Sequence, residues 1–133
     1  MSKVKTFNVG QDSYNAAMAS AVGQDELLSL LTAPIMDRFV NADNLDGQAK
    51  EVFLMAMLMA MPSAIKTKVA SILMAKVFVE GTQIPVDINT FSSKMVEYNS
   101  LLAKLLEWNL ADFFTWLENV RKEDVQPAEQ KAS

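Results

Sequence analysis

Hydrophobic residues dominate one stretch of the chain, 52–65, which contains no charged residue. On a helix this stretch has three stripes that are all apolar: Val52/Met55/Met59, Leu54/Leu58/Met61 and Phe53/Met57/Ala60. A helix that is apolar on every side must be covered on every side, by its own domain or by another molecule. We therefore predict a central helix here. Either all of it is core, or one stripe meets another chain, because Met suits surfaces that adapt to varied partners.

The part of the chain before this stretch predicts an arm, two helices and a loop. Residues 1–10 alternate as a strand does, but an isolated strand has no partner, so we predict an extended arm. A first helix is expected over 13–22, capped by Asp12 or Ser13 and ended by Gly23. The next helix carries four leucines from Leu27 onward until Pro34 breaks or restarts the chain. Docking of Phe7 and Val9 on a neighbouring subunit is the functional alternative for the arm.

The part after the central stretch predicts three more helices. Pro62 favours a kink or a new helix, which Gly81 ends. Asp87 is a good cap for an amphipathic helix with heptad spacing at Ile88, Phe91, Met95, Tyr98, Leu102 and Leu105. Asn109 is expected to cap the last helix. The polar residues 123–133 have no apolar period and predict a disordered tail.

Together these patterns predict an all-α fold. We expect a compact helical domain of five to seven helices over 11–122, an extended arm over 1–10 and a disordered tail over 123–133. No sheet is expected. The predicted core is Phe53, Leu54, Leu58, Ile72, Leu73, Met95, Leu102, Leu105, Phe113 and Leu117.

Composition bounds the chemistry. The chain has 133 residues, which fits one domain, and no His and no Cys. Without them, Ser-His and Cys-His catalytic sites and zinc sites built on His or Cys are excluded. The acidic loop 41–47 fails the calcium spacing, because Leu45 and Val52 stand where oxygen ligands belong. We predict a non-enzymatic protein without cofactor or metal. The net charge of −4 argues against nucleic acid, and the uncharged stretch is too short to span a bilayer.

Charge is unevenly distributed along the chain. Acidic residues including Asp25, Glu26 and Asp37 dominate 6–49, whereas 62–79 carries Lys66, Lys68 and Lys76 without an acid. Such segments are usually solvated faces. The alternative is a weak, salt-sensitive head-to-tail contact between copies, in which the acidic part of one meets the basic helix of the next.

The layout of the chain resembles the shorter, non-frameshifted tail assembly chaperone of long-tailed bacteriophages. The resemblance covers a short Ser-Lys start, an acidic Leu-rich segment over 25–39, the Met-rich centre over 53–61, the amphipathic helix from Asp87 and the polar tail. It implies a helical, non-enzymatic protein of the host cytoplasm that is absent from the mature virion. Its expected partners are the tape measure protein and a longer form made by programmed frameshifting, which recruits tail tube protein.

A chaperone of this kind must leave apolar surface exposed for a helical client. The candidate partner-binding residues are Met55, Met59, Trp108 and Trp116, although their apolar character alone favours the core. The alternative function is a small helical structural or adaptor subunit of a virion or secretion assembly. A nucleic-acid binder using the three lysines of 62–79 is a weaker third hypothesis, since the net charge is negative.

Overall fold

A computed structural model describes residues 3–39 and 47–120, which combine α-helices with a three-stranded antiparallel sheet. The predicted all-α fold is therefore wrong, and the class is α+β. In chain order the elements are β1 (Val4–Val9), β2 (Asp12–Ala17), α1 (Ala21–Phe39), α2 (Gly47–Ala60), α3 (Ser63–Leu73), β3 (Val77–Val79), a 3₁₀ turn (Ile88–Phe91), α4 (Met95–Asn109) and α5 (111–120).

The first two strands form a hairpin where we expected an unpaired arm and a helix. Gly10 has a φ of 61° and opens a two-residue turn that pairs Val9 with Asp12. A positive φ at the first turn position suits a tight hairpin and favours glycine. In β2, Tyr14 and Ala16 point into the core while their neighbours stay partly exposed. This period of two explains why residues 12–17 form a strand and not the first turns of a helix.

The third strand comes from a segment that we assigned to a helix. β3 lies beside β2, with Tyr14 opposite Val79 and Ala16 opposite Val77. Its far side pairs with the segment around Pro85, where the Val79 N–H donates to the Ile84 carbonyl at 3.0 Å. Because Val-Phe-Val suits an extended backbone, α3 gives way to a strand before Gly81.

The predictions made from the two prolines have different outcomes. The prediction of a new helix at Pro62 is confirmed, since α3 begins at Ser63 with Pro62 as its N-cap. The predicted break at Pro34 is wrong, since α1 continues through it to Phe39. Gly23 also lies inside α1, where its N–H donates to the Ser20 hydroxyl at 3.2 Å, so Ser20 caps this helix.

The helix at the centre of the molecule is α4, not the apolar α2. It packs against α2, α3 and β1, and its residues from Leu101 to Ala103 are fully buried. Asp87 acts as a cap, but of the 3₁₀ turn, in a capping box with Thr90. The backbone then breaks at Ser93, whose φ is 68°. The predicted heptad spacing is interrupted there.

Most of the predicted core is confirmed. The buried members are Leu54, Leu58, Leu73, Leu102, Leu105, Phe113 and Leu117. Phe53 and Ile72 are only partly buried against that core. Met95 is 44% exposed, so its assignment to the core is wrong. The reason is the break at Ser93, which sets the first turn of α4 outside the packed face.

Three sequence predictions fall wholly or mostly outside the described residues. They are the acidic loop over 41–47, of which only residue 47 is described, the start of the arm at residues 1–2, and the disordered tail over 123–133. The division into an arm, a domain and a tail stays a prediction in those parts.

Candidate functional site

One face of α2 is apolar and exposed. Val52 is 57% exposed and Met59 is 46% exposed, two helical turns apart. Ala56 and Ala60 are exposed on the same side. No charged or polar side chain interrupts this row along α2 from Val52 to Ala60. We call these four residues the α2 face.

The opposite side of α2 is the packed one. Leu54, Met57 and Leu58 are buried, and α2 packs along α4. Met55 is half-buried and packs against this core. Of the two candidate partner-binding methionines, Met59 therefore lies on an exposed surface while Met55 contributes partly to packing.

The two tryptophans differ in the same way. Trp108 on α4 is half-buried, and its ring meets the Phe7 ring edge-on with centroids 5.4 Å apart. Trp116 on α5 is 50% exposed and its ring lies 5.9 Å from that of Phe113. The ring contacts of the two tryptophans thus lead to Phe7 and to Phe113, not to α2.

Trp108 instead belongs to a second feature, a cleft of about 470 Å³ beside β1. Phe7 and Lys5 of β1 form one side of it, and one face of α5 forms another. Between them lies the C-terminal part of α4. The cleft is lined by Lys5, Phe7, Lys50, Lys104, Glu107, Trp108, Ala111, Phe114, Thr115 and Glu118. We call it the β1 cleft.

Ion pairs fix the lysines that α2 and α4 contribute to the β1 cleft. Lys50 lies 3.3 Å from Glu107, and Lys104 lies 2.9 Å from Glu51. Lys5 is different: its Nζ lies 5.4 Å from the centroid of the Phe7 ring, and no ion pair holds it within the described residues. The cleft therefore has an aromatic floor, an exposed cation at its strand side and the Glu118 carboxylate on its α5 side.

Sequence reasoning missed the β1 cleft because it treated β1 as an isolated arm. The alternation of Lys5, Phe7 and Val9 was a usable signal, since residues two apart share one face of a strand. Had the hairpin turn at Gly10 been recognised, these three side chains would have been assigned to one face of a paired strand that packs against a helix.

The six candidate self-association residues lie on α1, on α3 and just after α3, and these two helices pack together in one chain. Asp25 and Glu26 are exposed on α1, as is Asp37, while Lys68 on α3 and Lys76 just after it are exposed. Lys66 on α3 is only partly exposed. The salt-sensitive head-to-tail contact stays a prediction.

Lys66 is partly buried and has partners within the chain. Its Nζ donates to the Asn99 side-chain oxygen at 2.7 Å and lies 5.8 Å from the centroid of the Tyr98 ring. Burial lowers the pKa of Lys66, because it disfavours the charged form. A side chain held in this way is a poor choice for contact with a second copy.

Across 3–39 and 47–120 there is no cluster of three or more acidic side chains that could hold a metal ion. None of the helices described there combines the length and apolarity that crossing a membrane requires.

Comparisons of the chain with protein-family models, with curated proteins and with solved structures find no match. The α2 face and the β1 cleft are the two surfaces of the described residues that bear on function.

Proposed function

We propose that this protein is a non-enzymatic binding protein that acts as a phage tail assembly chaperone. Its client would be the tape measure protein, and it would work in the host cytoplasm and be left out of the mature virion. A longer frameshifted form would link the complex to tail tube protein. The resemblance of the sequence layout suggests the family, and the α2 face is the structural observation that supports a binding role.

The α2 face supports this role because an exposed apolar helix surface is costly to leave in water. Val52 and Met59 lie two turns apart on one side, and Ala56 and Ala60 beside them have small side chains. An amphipathic client helix reads such a surface through residues spaced three and four apart. Small side chains at Ala56 and Ala60 would let that helix approach closely.

The α+β fold changes this proposal in one respect. The resemblance implied a wholly helical protein, whereas a sheet covers one side of α4 here. The sheet leaves the α2 face uncovered, so a helical client remains compatible with the fold.

A double substitution, Val52→Gln with Met59→Gln, tests the proposal. We expect the variant to keep its thermal stability and to lose co-purification with a co-expressed tape measure protein. Met95→Gln is the matched control, since Met95 is a methionine of nearly equal exposure, 44%, on a different helix. The control should co-purify like the unchanged protein. Equal co-purification of all three proteins would contradict a client site on α2.

The alternative function, a structural or adaptor subunit, makes a different prediction about purified particles. A chaperone is absent from them, whereas a structural subunit is present in fixed stoichiometry. Mass spectrometry of purified particles distinguishes these outcomes. Gene context adds a second test, because a slippery run near the last codons followed by a very long helical gene favours the chaperone.

A further inference from the structure

The outer edge of β1 has backbone groups that no other strand uses. In the described part of the chain β1 is the first strand of the sheet and pairs only with β2. The Met18 N–H donates to the Lys3 carbonyl at 2.8 Å, across the β1–β2 ladder. Hydrogen bonds alternate along an antiparallel pair. Lys5, Phe7 and Val9 therefore also bond to β2, and the intervening residues face the other way.

The ladder between β2 and β3 agrees with this assignment. The Ala17 N–H donates to the Lys76 carbonyl, and the Glu80 N–H donates to the Ser13 carbonyl. Odd-numbered residues of β2 thus bond to β3, which leaves even-numbered ones for β1. On β1 the N–H and carbonyl groups of Val4, Thr6 and Asn8 consequently point outward along the free edge.

This edge borders the β1 cleft. Lys5 and Phe7 line the cleft from the strand side, while Ala111, Thr115 and Glu118 line it from α5. An extended segment added to β1 would therefore have α5 on its other side. Its backbone would meet the outward groups of β1, and alternate side chains would enter the cleft over Trp108.

The charges of the edge indicate which segment fits. Lys3 lies beside β1 and Lys5 lies on it. β1 contains no acidic residue, although the chain has a net charge of −4. Lysines on an edge strand oppose pairing with a second basic strand. A carboxylate opposite Lys5 would be attracted, since opposite charges across two strands stabilise the pair.

We propose that the β1 edge and the β1 cleft form a binding site for an extended acidic peptide segment of a partner protein. The segment adds a fourth strand to the sheet, places a carboxylate against Lys5 and sets an apolar side chain over Trp108 and Phe114. This is β-strand addition, in which the backbone gives affinity and the alternate side chains give specificity. It is independent of the chaperone proposal, which concerns a helical client on the α2 face.

A second copy of this chain is a less suitable occupant. In the antiparallel registers centred on Val4 or Lys5, two β1 strands would place lysines of the two copies opposite each other, and like charges across strands are destabilising. A second copy would also bring its own helices beside α5.

The absence of cysteine from the chain allows a sharp test by disulfide trapping. Thr115→Cys places a thiol in the wall of the cleft. Thr67→Cys is the matched control on α3, since both threonines are exposed and donate to the carbonyl four residues earlier, at 3.1 Å and 2.8 Å. The probes are synthetic peptides about as long as β1 with one terminal Cys, in which Glu and Val alternate along one face of the strand and Thr occupies the other face. Capture under excess reducing thiol is measured by mass spectrometry.

We expect Thr115→Cys to capture the Glu-Val peptide about fivefold more than a Lys-Val peptide of the same length. In the added strand, every second backbone N–H of the peptide would face β1. N-methylation of that set in the Glu-Val peptide should abolish capture, whereas N-methylation of the other set should leave capture unchanged. Adding Thr6→Pro should also abolish capture, because it removes an outward N–H of β1. Thr6→Val keeps that N–H and should capture normally. Thr67→Cys should not distinguish the two N-methylated peptides.

Three results would overturn the proposal. The first is equal capture of the Glu-Val and Lys-Val peptides. The second is equal capture of the two N-methylated Glu-Val peptides, which would indicate that side-chain attraction alone holds the peptide, without strand addition. This comparison needs no further substitution in the protein. The third is a dimer of the unmodified chain, found by sedimentation, that Thr6→Pro dissociates, which would assign the edge to a second copy.

Discussion

The helices α2 and α4 have nearly the same length, but they are used in opposite ways. From Val52 to Ala60, α2 is apolar on every side, yet only Leu54, Met57 and Leu58 of these side chains are buried. α4 includes charged residues and two asparagines, yet it is enclosed by α2, α3 and β1. Apolar content therefore did not decide which helix became the centre of the core.

The difference follows from how the apolar residues are arranged. From Tyr98 to Leu106, α4 places its large side chains where three neighbouring elements meet, and its asparagines have specific partners. α2 spreads apolar residues over its whole circumference, so one face is left over after the other has packed. Such a surplus is what an interaction surface requires, because soluble monomers seldom keep extended apolar patches without a use.

The largest effects should come from cavities on the side that the two helices share. Leu58→Ala in α2 and Leu102→Ala in α4 should each lower the free energy of unfolding by about 2–5 kcal/mol, since both side chains are fully buried. Urea denaturation measures the change. We expect Leu102→Ala to cost at least as much as Leu58→Ala, and a loss below about 0.5 kcal/mol at either position would contradict its burial.

A smaller effect should come from the polar end of α4. The Asn109 side-chain oxygen accepts from the Ala19 N–H at 2.8 Å, and its amide donates to the Leu105 carbonyl at 2.9 Å. Asn109→Ala should destabilise the fold by about 1–3 kcal/mol, because the Ala19 N–H loses its partner. Asn15→Ala is the control, since its bond to Thr6 is exposed. Equal losses in the two variants would show that burial of the bond is unimportant.

Alkaline pH should reveal the buried ring on α4. Burial, with Asp87 nearby, raises the pKa of Tyr98, and burial with Asp12 and Glu97 raises the pKa of Tyr14. The neutral phenols are thus favoured by folding, so their contribution to stability is complete below pH 10.0 and is lost as the pH rises through the raised values. Absorbance titration should show both tyrosines ionising above their ordinary pKa in the folded protein and at it in urea.

Tyr98→Phe separates the two tyrosines in this titration. The remaining signal should belong to Tyr14 and still lie above pH 10.0. Lys66 acts in the opposite sense, because its lowered pKa means that folding becomes easier as it loses its charge. Comparing unfolding free energies of the unchanged protein and Tyr98→Phe across this range isolates the tyrosine effect. Ionisation of Tyr98 at its ordinary pKa would contradict its burial.

The smallest effect on stability should come from the exposed side of α2. Val52→Gln with Met59→Gln should change the free energy of unfolding by less than about 0.5 kcal/mol, as surface substitutions usually do. Differential scanning calorimetry measures it. A loss of about 2 kcal/mol or more would mean that these side chains are packed, and the contrast between α2 and α4 would disappear.

The sequence predicted the strongly periodic parts of the fold and missed the sheet. Leu102, Leu105 and Leu117 were placed correctly because their spacing repeats over several turns. The hairpin was missed because Asp12 to Ala17 contains good caps and alanines, which imitate a helix start, while the turn at Gly10 was overlooked. β3 is only three residues long and is paired with a distant strand, so local pattern gives it little signal.

The candidate sites were predicted less well, for a related reason. The sequence identifies apolar residues, but exposure depends on which elements meet in space. Met55 and Met59 look equivalent on a helix diagram, and the packing of α4 distinguishes them. Asn109 was predicted to cap α5, but its oxygen binds the Ala19 N–H, ninety positions earlier. The contact is set by tertiary structure and has no local signature.

The pairing of β2 with β3 has a consequence for how the chain folds during synthesis. Tyr14 pairs with Val79, so the segment from α1 to α3 must be synthesised before these two strands can pair. The hairpin of β1 and β2 can close early, but a lone hairpin is marginal in water. The hairpin therefore stays only marginally stable during synthesis until β3 and α4 have left the ribosome. Pairings between such distant segments slow folding and leave strand edges unprotected meanwhile.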